Sequence, residues 1–504
     1  MHALKVASSN LTGVFRVIDG VMTFNSFSFA TFMLVVFLAY WFIFNRKGTN
    51  RLRNIFLLAV SYLFYGLWDW RFLLLIALSS LVDYSVGLAI ERGESAQQKR
   101  RYLIVSLVAN LGMLAVFKYF DFFIESAEEL VEMLGGTPAG FRLNWILPVG
   151  ISFYTFQTLS YTLDVYRGRM KAQRDVVAFF AFVAFFPQLV AGPIERARHL
   201  LPQFKGTPEF DNRAVRSGLL LVLWGVFKKV VIADRLALFV NAGYAAPEAL
   251  DGWTALLVWA FFPWQLYLDF SAYSDIAIGS ARMLGFKLTK NFNLPMWSAG
   301  IGDFWKRWHI TLTRWFREYL FVPVRRASRH RAWPVASLMV VFFATGLWHG
   351  ASWNFVFWGV FCGLGLAFVD PVMVRFGQKL NAPVQRVFLT GGTILFMYSS
   401  LVWFRAPNWG DAMEVFRAFG RWEGGWSPTD WGLTNGEFRL AWIFFIVAGG
   451  HELVMEWKPE WEASFFAGNG LKRWAVAWLL LMGLILAGSY GLNIQDQAFI
   501  YFQF

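Results

Sequence analysis

Apolar residues run along this chain in continuous blocks of about 17–25, the length an α-helix needs to cross a hydrocarbon core. Blocks fall near 24–44, 55–68, 71–90, 102–120, 146–166, 215–233, 253–281, 387–404, 438–456 and 472–489. They do not alternate apolar with polar positions, so they predict helices and not barrel strands. The block at 176–190 is shorter, ends near Pro187 and is followed by Arg196, Arg198 and Lys205. That pattern predicts a re-entrant or interfacial segment buried in protein. The stretch 333–369 has no Asp, Glu, Lys or Arg before its end. It is too long for one ordinary span and long enough for a hairpin of two. The pattern predicts an all-α polytopic membrane protein with roughly ten to twelve transmembrane helices.

Charge placement adds an orientation. Arg46, Lys47, Arg51 and Arg53 fill the first interval; Lys99, Arg100 and Arg101 fill the third; Arg167, Arg169, Lys171 and Arg174 follow the 146–166 block. The positive-inside rule makes these loops cytoplasmic and puts the N-terminus outside. Glu125, Glu128 and Glu129 then mark an outer face. The longest basic region, 287–331, is rich in Trp, Phe and Leu. Its motif FWKRWHITLTRWFREYLFVP predicts an amphipathic helix on the cytoplasmic side. Residues 1–21 are only mildly apolar and carry no signal-peptide core. They are expected to be an N-terminal extension, with 22–504 forming a single membrane domain.

Composition agrees. The chain is 57% hydrophobic and 16% charged, whereas a soluble protein carries about 25% charged residues. The net charge of +13 would raise nucleic acid as a partner in a soluble protein. Here the basic residues sit in short loops, which fits membrane lipids and no nucleic acid. Cys362 is the single cysteine, which leaves no intrachain disulfide and no Cys-based zinc site. No metal is expected. There is no phosphate-binding glycine loop, HExxH or GxSxG pattern.

Two of the six histidines stand apart. His349 is the one strongly titratable group in the apolar 333–369 stretch, between Trp348 and Trp353; His309 lies among Trp305, Trp308 and Trp315. An ionisable group at membrane depth costs several kcal/mol, roughly, unless neutral or paired. Imidazole is well suited to moving a proton near neutral pH. The competing reading makes both histidines packing residues that donate to backbone. Asp269 and Asp275 are intramembrane carboxylates with the same double reading: helix capping, or the polar pathway of a transporter or flippase.

Several segments, in order, resemble the membrane-bound O-acyltransferase family: SYLFYGLWDWRFLLLI from Ser61, LPVGISFYTFQTLSYTLDVYRG from Leu147, FFPQLVAGPIERARHLLPQF from Phe185, YLDFSAYSDIAIGSARMLGF from Tyr267, NFNLPMWSAGIGDFWKRWHITLTRWFREYLFVP from Asn291, GLWHGASWNFVFWG from Gly346 and WFRAPNWGDAM from Trp403. The resemblance, which begins at MTFNSFSF from Met22 and extends to the final FIYFQF, is greatest to the bacterial branch that includes the membrane subunit of alginate O-acetylation. It implies a ring of transmembrane helices around a thin core with re-entrant segments. It also implies acyl transfer from a thioester to a hydroxyl, with His349 at the family's invariant histidine and His309 at its second position. The implied donor is cytoplasmic acetyl-CoA or an acyl carrier. Lys306, Arg307 and Arg314 are candidates to attract its phosphates. The implied acceptor is a polysaccharide such as alginate, reached directly or through periplasmic acetyltransferase partner proteins. Peptidoglycan, teichoic acid or a lipid-linked glycan are the other envelope acceptors.

Overall fold

Each apolar block is helical over most of its length in the structure, a computed structural model that describes residues 22–489 except 47, 139, 191, 423–426 and 462–469, together with 499–500. The expected extension at 1–21 lies outside the described residues. Helix α1 (Phe27–Ala39) starts at Ser26, whose hydroxyl accepts the Phe29 N–H at 3.1 Å. Helices α2 (Asn50–Asp69) and α3 (Leu73–Arg92) are separated at Asp69, where the backbone turns extended. A Ser95/Gln98 capping box opens α4 (Ala96–Leu114). A wider π-type turn, Ala115–Tyr119, joins it to α5 (Phe120–Met133). Then follow α6 (Ile151–Tyr166), α7 (Val176–Ala184), α8 (Asn212–Phe227), α9 (Asp234–Ala245) and α10 (Gly252–Met283). Two short helices, α11 (Ile301–Arg307) and α12 (Ile310–Phe316), precede the hairpin α13 (Trp333–His349) and α14 (Trp353–Leu364). The chain continues through α15 (Asp370–Gly377), α16 (Ala382–Arg405), α17 (Trp409–Ala418), α18 (Asn435–Trp457) and α19 (Gly470–Ala487).

Among the described residues, seven helical runs are long and apolar enough to cross a membrane. The sequence pattern predicts more because it counts each apolar block. The 43-residue run Asn50–Arg92 holds two blocks, and α6, α8 and α10 mix polar groups into their apolar faces. Helices α6 and α10 are buried nearly throughout, so their polar groups face protein and not lipid. Helix α6 packs on α3 and α4, and α8 packs on α10. The 176–190 block is buried as expected: Phe179, Phe182, Phe185 and Phe186 are fully enclosed.

Glycines set the two closest helix contacts. A Cβ on Gly218 of α8 would lie 2.7 Å from the Gly279 carbonyl of α10, and one on Gly279 would lie 2.6 Å from the Gly218 carbonyl. In the α13–α14 hairpin a Cβ on Gly346 would stand 2.2 Å from the Phe355 carbonyl, and one on Gly359 would stand 2.3 Å from that of Phe342. Small residues let helices approach closely where lipid offers no hydrophobic drive.

The 287–331 region departs from expectation. It is not one amphipathic helix: α11 and α12 are broken at Trp308 and His309, where His309 takes a left-handed backbone (φ 41°). Trp305, Trp308 and Trp315 turn inward, while Lys306, Arg314 and Arg317 stay exposed.

The charge-derived orientation has a direct test. In a Cys362→Ser background, a membrane-impermeant thiol reagent applied outside should label a cysteine at exposed Glu129 and spare one at exposed Arg100. The reverse pattern would invert the orientation. The background is mild, because Cys362 is buried, with only a 3.8 Å contact to the Ser400 hydroxyl.

Candidate active site

His349 is the last residue of α13, and the glycine contacts just described fix where that helix ends. Its ring is 5% exposed at residue level and sits edge-on to three aromatic rings: Trp348 at 5.0 Å, Trp358 at 5.1 Å and Phe404 at 5.3 Å between centroids. It lines two spaces. One is a cavity of about 70 Å³ bounded by Lys118, the Leu147–Phe153 segment, Val190 and Trp348. The other is a narrow pocket of about 10 Å³, room for about one water, among Phe304, Trp305, Trp308, Trp358, Met397 and Phe404. The first lies beside the turn that leads into acidic α5. The second lies against the α11–α12 break, next to the basic surface.

His309 is 1% exposed. Its left-handed turn is held by Asn291, whose carbonyl accepts the Ile310 N–H at 2.8 Å. The Asn291 side-chain oxygen accepts the Thr311 hydroxyl at 2.8 Å and the Thr311 N–H at 3.2 Å, and lies 3.2 Å from His309 Nδ1. An amide oxygen cannot donate, so Nδ1 carries the proton in that contact and Nε2 is the basic nitrogen. The Trp348 ring is shared: its centroid is 5.9 Å from that of His309 and 5.0 Å from that of His349. The structure therefore brings both sequence-predicted histidines to one indole.

The basic candidates are placed differently. Lys306 and Arg314 are exposed. Arg307 is held by Glu456 at 2.5 Å and Asp303 at 2.9 Å, and Glu456 also takes Arg386 at 2.8 Å. A second basic cluster, absent from the sequence reading as a unit, gathers Arg169, Arg196 and Arg198 on Glu318. Asn354 donates to the Ala406 carbonyl at 3.0 Å, so its amide is already engaged. Asp269 and Asp275 are paired: Lys229 lies 2.6 Å from Asp269 and 2.8 Å from Asp234, and Lys228 lies 2.8 Å from Asp275. The Ile500 N–H donates to Asp269 at 2.8 Å.

Sequence reasoning missed Lys118. It sits in the π-type turn between α4 and α5, lines the larger cavity with His349, and donates to the carbonyls of Trp348 at 2.5 Å and His349 at 3.2 Å. Its neighbour Tyr119 donates to the Leu347 carbonyl at 2.9 Å. A lysine inside an apolar block carries the same cost that singled out His349.

An imidazole that lines two spaces, with a second imidazole one indole away, can in its neutral form take a proton from a hydroxyl that attacks an acyl carbonyl. The comparisons with known proteins point to the same chemistry. The profile of the MBOAT, membrane-bound O-acyltransferase family, matches residues 63–402. The chain is 38% identical to a probable alginate O-acetylase of Pseudomonas aeruginosa over 412 residues, 80% of this chain and 76% of that one. It is 32% identical to the protein of the same description from Pseudomonas putida, over 96% of this chain and 100% of that one. A peptidoglycan O-acetyltransferase of Helicobacter pylori is 34% identical over 79% of each chain.

Proposed function

Because the chain belongs to the membrane-bound O-acyltransferase family, and is thus a multi-pass O-acyltransferase of the bacterial inner membrane, we propose that it moves acetyl groups from cytoplasmic acetyl-CoA to hydroxyls of an exopolysaccharide such as alginate. His349 is the general base. His309 orients the reacting groups through its Asn291-fixed ring. The observation that carries this reading is that His349 lines two separate spaces, one shared with Lys118 and the start of α6 and one walled by Trp305, Trp308 and Trp358. A base that borders two spaces can meet a charged thioester that cannot enter lipid in one and an acceptor in the other. Periplasmic acetyltransferase proteins would receive the group or pass it to the polymer. The relative named for peptidoglycan favours a second acceptor, the cell-wall glycan, served by the same site. In a transporter or flippase, Asp269 and Asp275 would have to leave the lysines that pair them, which weighs against that role.

The test uses the full chain in proteoliposomes with labelled acetyl-CoA on the basic-loop side. Label should appear on acceptor sugars added to the other side, and only when a thioester is present. Activity without a thioester would indicate a transporter. For the donor entrance, Lys306→Glu with Arg314→Glu should raise KM for acetyl-CoA much more than it lowers kcat. Contacts to remote phosphates are made equally in ground and transition states. An unchanged KM at low salt, where charge attraction is least screened, would move the entrance to the Arg196–Arg198 cluster.

A further inference from the structure

Lys118 has a position that end-capping alone does not account for. Its ammonium caps the last carbonyls of α13, but Tyr119 caps the same helix end with a neutral hydroxyl. Capping therefore does not require a charge, and a charge beside an apolar span is expensive. An ammonium has three N–H donors. Two go to the Trp348 and His349 carbonyls. Among the described residues it makes no third hydrogen bond, and Lys118 is on the wall of the His349 cavity. The lining also includes Gly150, Ile151, Ser152 and Phe153, the start of α6, so the cavity borders the positive pole of a 16-residue helix. The cavity thus has a proton acceptor at one point and hydrogen-bond donors at others.

We propose that Lys118 is a catalytic residue whose third N–H stabilises the oxyanion formed when the acyl carbonyl is attacked. The proposal rests on the acyl-transfer reading above. In the step, the acceptor oxygen bonds to the carbonyl carbon as its proton passes to His349. The carbonyl π electrons move to oxygen, and Lys118 donates to that oxyanion. When the C=O re-forms, the C–S bond breaks, and the thiolate takes the electron pair and the proton from His349. The products are an ester and a thiol. A donor fixed where charge develops in a water-poor site stabilises the transition state without reorganising, and the two carbonyl contacts keep Lys118 from swinging away.

The experiment compares wild type, Lys118→Met, Lys118→Arg and Tyr119→Phe in kinetics and in binding of two probes. S-acetonyl-CoA is neutral at the reacting carbon; S-(methylphosphonyl)-CoA carries a tetrahedral anion there. Lys118→Met should lower kcat about 10²–10³-fold, the usual loss for one oxyanion donor, with little change in donor KM. It should lose affinity for the phosphonate by a similar factor and keep its affinity for the ketone. Lys118→Arg keeps the charge and should retain much of that discrimination. Tyr119→Phe removes a cap without a charge, so it should lower thermal stability and leave the discrimination intact. Equal weakening of both probes in Lys118→Met would make Lys118 a cap only. A rise in acceptor KM confined to acidic acceptors would make it a carboxylate subsite. If Lys118→Met does not fold, loss of discrimination in folded Lys118→Arg overturns the proposal. A wild type that transfers nothing from any thioester fails at the earlier step, which is separable from these outcomes.

Discussion

Replacing His349 by alanine should abolish acyl transfer. General base catalysis contributes about 10²–10⁴-fold, and no other imidazole lines both spaces. Folding should survive, because the glycine contacts that close the α13–α14 hairpin are made by Gly346 and Gly359 and not by the His349 ring. The check is transfer of labelled acetyl by variant and wild type matched for melting temperature. A well-folded His349→Ala enzyme working near the wild-type rate would falsify the assignment. His309 should behave differently. Its backbone is left-handed, a conformation that asparagine adopts several times more readily than most residues. An asparagine there also keeps a short polar group near Asn291. His309→Asn should therefore retain more activity and more stability than His309→Ala, whose methyl group supplies neither.

The second large effect concerns shape. Gly346→Val should collapse the hairpin that carries His349. Even the first carbon of the new side chain would lie 2.2 Å from the Phe355 carbonyl, far inside contact distance. That neighbour is backbone and cannot rotate aside, so the helices must separate. Overpacking costs about 1–3 kcal/mol, occasionally more, and this site belongs at the upper end. Gly359→Val should act alike from the facing helix. Gly391 of α16 meets nothing within 4 Å, so Gly391→Ala is the neutral control. Thermal unfolding in detergent and recovery of monodisperse protein measure all three. A Gly346→Val protein as stable as wild type would mean that the helices are not in the close contact described.

Much of this arrangement was legible in the chain because a membrane span announces itself through length and lack of charge. The 333–369 stretch had to turn back on itself, and it does so at His349–Ser352. What escaped was pairing. Asp269 and Asp275 stood out as intramembrane carboxylates, while Lys228 and Lys229, inside the 215–233 block, were not matched to them; both lysines are buried, Lys229 at 1% exposure. Partners that lie some forty residues apart in sequence leave no local pattern. The break at His309 also had no local sign, since no glycine or proline occupies it. It is held from outside by Asn291. Lys118 was hidden by the opposite problem: one charge in a block otherwise fit for lipid changes the average little.

The aromatic rings around His349 have a further consequence for the cell. An inner membrane stores energy as a proton gradient, so any protein with depressions toward both compartments is a candidate leak. Here two spaces share one imidazole, wedged against Trp348, Trp358 and Phe404, and the narrower one has room for about one water. Rings packed this closely around the shared imidazole act as insulation. Trimming Trp358 or Phe404 to admit longer acyl chains would open space for a continuous file of water. Wider substrate range would then be obtained at the cost of proton conductance, and the growth rate of the host would limit how far the site can be enlarged.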